Sequence, residues 1–153
     1  MIQRILFLLT LICFTFNVNA QILFQKIPNE NLCAIDAHLM QKGYKLAYSN
    51  MTSEDYLFKG NEEEWKKYWI ELMQELNSYM HKKGLQLNIK NTCYNRVYFN
   101  QDGTIAAYLY HLNGLSTVQE QKFDINIFQF LLDQKLNIKA SQNYWQYGTL
   151  RFE

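Results

Sequence analysis

Cysteine and histidine are the residue types with which this 153-residue chain could do covalent or metal chemistry. The chain holds three of each, at Cys13, Cys33 and Cys93 and at His38, His81 and His111. None of them stand together at the spacing of a zinc site, and no histidine lies near a serine, cysteine or carboxylate in a known catalytic spacing. The sequence therefore predicts no catalytic residue, no metal site and no cofactor.

Residues 1–20 have the pattern of a secretory signal peptide. Arg4 gives the start of the chain a positive charge, residues 5–16 form an apolar run, and Val18 and Ala20 are small residues in front of Gln21. The apolar run is too short to cross a bilayer, which takes about 20 residues. We therefore expect cleavage between Ala20 and Gln21, and a mature protein that is secreted or periplasmic and has no membrane span.

Two cysteines, Cys33 and Cys93, remain after removal of this leader. An even pair in an exported protein indicates a disulfide bond. Two buried free thiols are the alternative, since spacing in the sequence cannot show that the two α-carbons lie within bonding range.

Charge and length limit the classes of function. The chain has 15 basic and 14 acidic residues, and because Arg4 lies in the leader, the mature chain is formally neutral. A neutral chain gives no electrostatic reason to expect nucleic acid as a partner. Residues 21–153 are long enough to bury a core and short enough to form a single domain.

The hydrophobic pattern changes period along the chain. Helical spacing predicts helices at about 29–41, 62–83 and 122–135, and alternation predicts strands at about 22–27, 44–48, 85–89, 93–100, 104–112 and 144–152. Asn61 is expected to cap the long helix, and Asp102-Gly103 indicates a tight hairpin. These elements predict an α+β fold, in which a small antiparallel sheet with a hairpin packs against two or three helices.

The second half of the chain resembles the C-terminal domain of TonB-family proteins. The resemblance rests on the hairpin RVYFNQDGTIAAYLYH at 96–111, the helix at about 122–135 and the final GTLRF at 148–152. It divides the mature chain into an extension at 21–60 and a TonB-like core at 61–153. The chain lacks the proline that family members carry after the helix, and it also lacks their membrane helix and proline-rich spacer. An energy-transducing role is therefore not expected.

In the TonB family, the last strand binds a partner by pairing its exposed edge with an incoming peptide strand. The resemblance therefore implies a protein or peptide partner, and the residues on one face of the last strand are the candidates for that edge: Trp145, Tyr147, Thr149 and Arg151. Residues 144–147 of this strand lack the prolines, lysines and acidic residues that usually protect an edge. Alternatively, residues 21–60 cover it.

Three classes of function follow from these patterns. The preferred one is an exported, non-catalytic module that binds protein. The second is a secreted inhibitor or immunity-like protein, which would present an exposed loop, and residues 49–60 are the best candidate. A small hydrolase-type enzyme is the least favoured, because it would need a cleft in which a histidine meets a carboxylate or a thiol.

Overall fold

The computed structural model describes residues 23–26, 41–50, 55–85 and 92–151. These residues contain five strands and two helices: β1 (Leu23–Lys26), β2 (Lys45–Leu46), α1 (Glu62–Lys82), β3 (Thr92–Phe99), β4 (Ile105–Asn113), α2 (Thr117–Leu132) and β5 (Tyr144–Arg151). The predicted α+β fold is confirmed. The signal peptide, the helix predicted at 29–41 and most of the strand predicted at 85–89 lie outside the described residues.

The strands form one mixed sheet in the order β1-β4-β3-β5-β2. Its centre is antiparallel, because β3 pairs with β4 on one side and with β5 on the other. The two outer strands are parallel to their neighbours, β1 to β4 and β2 to β5. The strand at each end of the described sheet therefore comes from the N-terminal region that the resemblance to TonB does not cover.

A tight turn at Gly103 joins β3 to β4. Its φ angle is +87°, and a Cβ at this position would lie 2.0 Å from the Leu136 carbonyl oxygen. Glycine alone adopts this backbone conformation without strain and leaves room for that oxygen. Leu136 in turn donates its N–H to the Gly103 carbonyl at 2.9 Å. The turn predicted from Asp102-Gly103 thus also anchors the segment that leads to β5.

The long helix α1 begins where the sequence predicts, and Asn61 occupies its N-cap position, where the Asn61 carbonyl accepts the Trp65 N–H at 3.2 Å. The Asn61 side chain makes no capping hydrogen bond and donates to Glu64 instead. Glu62 accepts the N–H of Gly60 at 2.9 Å, so a first-turn carboxylate holds the chain entering the helix. The residues of α1 that are fully buried repeat at helical spacing, at Trp65, Leu72, Leu76 and Met80.

The second helix starts earlier than the apolar pattern indicates. Ser116 accepts the backbone N–H of Gln119, and the Gln119 side chain accepts the backbone N–H of Ser116 at 2.9 Å. This reciprocal pair is a capping box, and it extends α2 by five residues beyond the predicted start at about 122. Residues 117–121 contain a single apolar residue, Val118, so an analysis of hydrophobic periodicity does not detect this part of the helix.

Both described helices pack on one side of the sheet, which we call the helix face. Trp65 is at its centre, stacked on Phe58 at 4.9 Å and in edge contact with Phe99 and Tyr144. The opposite side, the second face, has a smaller buried cluster of Tyr98, Ala107, Leu109 and Trp145. The sheet therefore presents two unlike surfaces, and the candidate site depends on that difference.

Candidate functional site

The predicted edge residues lie on β5, whose side chains alternate between the two faces. Trp145, Tyr147 and Thr149 belong to the second face, and Arg151 ends the strand. Trp145 is only 8% exposed, whereas Tyr147 is 50% exposed and Thr149 is also exposed. Trp145, at the start of the predicted edge, is therefore buried, whereas Tyr147 and Thr149 further along the strand are exposed.

The outer edge of β5 is covered over part of its length. Strand β2 pairs with Tyr144 and Trp145 in parallel, so β5 is next to last in the sheet. Trp145 is therefore not available to a partner strand, and its place in the predicted edge is wrong. The alternative, cover by residues 21–60, applies to this first stretch of β5. From Tyr147 onward, no strand within the described ranges pairs with the outer edge.

Gln146 lies where the covered stretch of edge ends. Its Oε1 accepts the backbone N–H of Tyr48 at 3.0 Å, and its Nε2 donates to the Tyr147 carbonyl at 3.2 Å. The buried Gln146 amide therefore bonds to the backbone of both chain segments, Tyr48 and Tyr147, at the point where β2 leaves β5. Sequence reasoning missed this residue, although a glutamine between aromatic residues in a strand was a usable signal.

The backbone N–H and C=O groups of β5 also alternate in direction, so that they point toward β3 at one residue and away from β3 at the next. Ala47 donates its N–H to the Trp145 carbonyl at 2.8 Å, which shows that the Trp145 carbonyl points away from β3. Because the direction repeats every second residue, the N–H groups of Tyr147 and Thr149 and the Thr149 carbonyl point outward as well. None of these three groups has a backbone partner among the described residues. We call this stretch, 147–151, the open edge.

A hollow of about 190 Å³ lies beside the open edge on the second face. Its walls include two tyrosines that are each 50% exposed, Tyr94 and Tyr147, and Leu109 lies on its floor. Arg96 is the one charged residue among those lining it. The Arg96 guanidinium lies 4.8 Å from the Trp145 ring centroid, in a cation–π contact. This contact places the positive charge of Arg96 above β5.

A second hollow, of about 310 Å³, lies beside the same edge on the helix face. It runs between α1 and the end of β5. Its apolar wall is formed by Trp69, Ile70, Met73 and Leu150, and the rest of its lining is polar, from Gln74, Asn77 and Thr149. Ile70 is 51% exposed, which is unusual for an isoleucine in a helix that packs on a sheet. This residue falls outside the helical stripe that predicts the core of α1, so it was a second usable signal.

The side chain of Trp69 lies directly over Gly148. A Cβ at this position would come within 2.9 Å of the Trp69 ring. Gly148 therefore lets the indole pack against the backbone of β5 next to the open edge. This close approach fixes the distance between α1 and the last strand.

The cysteines do not form a reactive site in the described structure. Burial raises the pKa of the Cys93 thiol to about 12, so this group stays protonated at neutral pH and is a poor nucleophile. Cys93 is a free thiol in the described structure, whereas Cys33 lies outside the described residues, so the disulfide between them stays a prediction. The described parts of the chain hold no group of three or more histidine, cysteine or acidic side chains able to share a metal ion.

The loop proposed for an inhibitor is tied to the body of the protein where it is described. Leu57 and Phe58 donate their backbone N–H groups to the carbonyls of Leu46 and Ala47, at 2.8 and 3.1 Å. The Phe58 ring is buried against Trp65. These contacts give no support to a projecting inhibitory loop at residues 55–60.

No protein-family model, no curated protein and no solved structure matches this chain. The resemblance to the TonB C-terminal domain therefore stays a prediction from the hairpin and the last strand. Within the parts of the chain that the structure describes, neither helix is both long and apolar enough to cross a membrane. The fold and the site together define a class, an α+β domain with an open strand edge set between two hollows.

Proposed function

We propose that this protein is an exported binding module that takes an extended segment of another protein as an additional strand along the open edge, 147–151. The observation that carries the proposal is the outward direction of the Tyr147 and Thr149 backbone groups beyond the point where β2 ends. Such groups form a ready template for a further strand. Main-chain hydrogen bonds would supply affinity, and the hollows on the two faces would receive the alternate side chains.

The open edge is also preorganised. Its inner side is paired with β3 over the whole length of β5, and Trp69 packs against Gly148 from the helix face. An added strand would therefore order only itself, which reduces the entropic cost of association. Tyr147 would supply a half-exposed ring at the start of the contact.

A proline scan with a matched control tests this proposal. Thr149→Pro removes an outward N–H and leaves the ladder to β3 intact, whereas Thr149→Val keeps that N–H and nearly the same shape. The three proteins would be immobilised and exposed to the envelope and secreted fractions of the source cells. We expect a partner that is retained by the parent and by Thr149→Val and is weakened about tenfold or more by Thr149→Pro.

Circular dichroism and thermal melts would establish that the proline variant is folded. Tyr147→Pro should behave in the same way, because its N–H also points outward. A partner that binds the folded proline variants as tightly as the parent would show that recognition does not use the open edge.

A further inference from the structure

Helix α2 also has apolar side chains on the side that faces away from the sheet. The residues of α2 that are buried in the core are Phe123, Ile127, Phe130 and Leu131. By contrast, Val118 is 74% exposed, Ile125 is 69% exposed and Leu132 is 52% exposed. A helix that is apolar on both sides is typical of a position between two surfaces. The sheet provides one of these surfaces for α2.

Val118, Ile125 and Leu132 form one line along α2, which we call the outer stripe. They are seven residues apart. Seven residues of an α-helix are only about 20° short of two full turns, so the three side chains point in nearly the same direction. Repeats of seven are typical of a helix that packs lengthwise against a second helix. The residues along this line are all uncharged: Val118, Gln121, Ile125, Phe128 and Leu132.

The outer stripe is complementary to itself when one copy is turned end for end. Val118 and Leu132 each lie seven residues from Ile125, on opposite sides of it. A two-fold axis through Ile125 would therefore place two α2 helices antiparallel. Ile125 would then contact Ile125 of the second copy, and Val118 would contact Leu132 of the second copy. A two-fold dimer requires this kind of self-complementary surface.

Charge favours the antiparallel arrangement over the parallel one. Asp133 is the C-cap of α2, and the last turn of the helix contains no basic residue. A carboxylate at this position is repelled by the negative end of the helix dipole. In an antiparallel pair, Asp133 would lie near the positive, N-terminal end of the other α2. A parallel pair would instead bring Asp133 near Asp133 and Lys122 near Lys122 of the second copy, which places like charges together.

The length of α2 limits the strength of such a contact. The helix has 16 residues and is about 24 Å long. Stable interfaces bury about 1,600 Å² in total, and those below about 1,200 Å² are typical of transient complexes. A single pair of helices of this length belongs to the smaller class. We therefore expect a reversible dimer with a Kd on the order of 10–100 μM.

We propose that the outer stripe of α2 binds a second copy of this chain, with the two α2 helices antiparallel about Ile125. This surface is separate from the open edge. Helix α2 packs over β4, where Asp124 accepts the Tyr110 hydroxyl at 2.7 Å, whereas Trp69 of α1 packs over Gly148 of β5. The dimer therefore does not depend on the proposed function. It would carry two open edges, which would raise the avidity for a partner with repeated strand segments.

Sedimentation velocity of the exported protein tests this proposal over about 1–300 μM, a range that spans the expected Kd. We expect the average mass to rise from monomer to dimer. Ile125→Glu places two like charges on the two-fold axis and should weaken the dimer about tenfold or more. Ile70→Glu is the matched control, the same change at an isoleucine of α1 that is 51% exposed, and it should leave the Kd nearly unchanged.

A charge exchange tests the orientation of the two helices. Val118→Lys and Leu132→Glu should each weaken the dimer about tenfold, because each places a charge in an apolar contact. The double variant should recover most of the affinity, since antiparallel helices bring each introduced lysine beside an introduced glutamate. Added salt should weaken this recovered dimer. Circular dichroism and thermal melts would establish that every variant is folded.

Three results would overturn the inference. A parent protein that stays monomeric over the whole range would show that the outer stripe does not bind a second copy. A dimer that persists in Ile125→Glu would use another surface, and its loss in the folded Thr149→Pro variant would assign it to the open edge. If the double variant dimerises no better than the single ones, the antiparallel arrangement is wrong.

Discussion

The helix face and the second face of the sheet are both rich in aromatic rings, and they use them differently. On the helix face, Trp65 is 1% exposed and packs against Phe58, Phe99 and Tyr144. On the second face, Tyr147 is half exposed beside the open edge. Aromatic content alone therefore does not separate the core from the exposed surface. The separation comes from what the fold packs above each ring.

The largest effect should come from removing the central ring of the helix face. Trp65→Ala would leave a cavity among stacked rings, and we expect it to lower the free energy of unfolding by about 3–5 kcal/mol. Tyr147→Ala removes a half-exposed ring and should cost less than about 1 kcal/mol. Urea denaturation of both variants measures the contrast. Equal losses would mean that the two faces do not differ as described.

The contact between Trp69 and Gly148 joins the two regions. Gly148→Ala would bring a methyl group to 2.9 Å from the indole, and overpacking of this kind costs about 1–3 kcal/mol. In a Trp69→Leu background the same change should cost less, because the obstructing ring is gone. A double-mutant cycle on unfolding free energies measures the coupling. Additive losses would argue against the close approach.

Alkaline pH should destabilise the protein through its helix face. Burial raises the pKa of Cys93 from 9.0 to about 12, so the folded state keeps the neutral thiol while the unfolded chain ionises. The contribution of Cys93 to stability is complete below pH 9 and falls by up to about 1.4 kcal/mol per pH unit between about pH 9 and 12. Under reducing conditions, Cys93→Ala should show a shallower decline in unfolding free energy than the parent.

Tyrosines add to that alkaline decline in both proteins. Burial raises the pKa of Tyr98 to about 12 and raises the pKa values of Tyr108, Tyr110 and Tyr144 as well. The informative quantity is therefore the difference between parent and Cys93→Ala, and parallel curves would contradict the assignment to Cys93. Without reductant, a Cys33–Cys93 disulfide would remove the difference, since a bonded sulfur does not titrate.

The smallest energetic effect belongs to the open edge. Thr149→Val should change the free energy of unfolding by less than about 0.5 kcal/mol, because the side chain is exposed. Amide exchange measured by NMR resolves this region: Tyr147 and Thr149 should exchange fast, and Gly148 and Leu150 slowly, since their N–H groups face β3. Uniform protection along 147–150 would mean that another segment pairs with the edge.

Much of the secondary structure was accessible from the sequence because it depends on local patterns. The long helix, the hairpin at Asp102-Gly103 and the last strand each carry a strong periodicity or turn signal, and each lies close to where it is predicted. The start of α2 was missed because a capping box extends the helix through five residues of which only Val118 is apolar. Asn61 occupies the predicted N-cap position, but its side chain makes no capping hydrogen bond and donates to Glu64.

The candidate site was only half predictable. Alternation placed Trp145, Tyr147 and Thr149 on one face of the last strand. It could not show that β2 pairs beside Trp145, nor that Gln146 ends that pairing. Both depend on contacts about 100 positions apart in sequence, and a two-residue strand such as β2 gives almost no local signal.

The sequence by itself determined the α+β class, the hairpin and the alternation along β5, because neighbouring residues specify helix and strand through spacing, turn geometry and side-chain shape. Only the tertiary structure decided the order of the strands, the stretch of β5 that has no neighbour among the described strands on its outer side, and the side chains that border it. Those features arise from residues distant in sequence. Arg96 lies over Trp145, and Trp69 packs against Gly148, because the sheet and α1 bring them together.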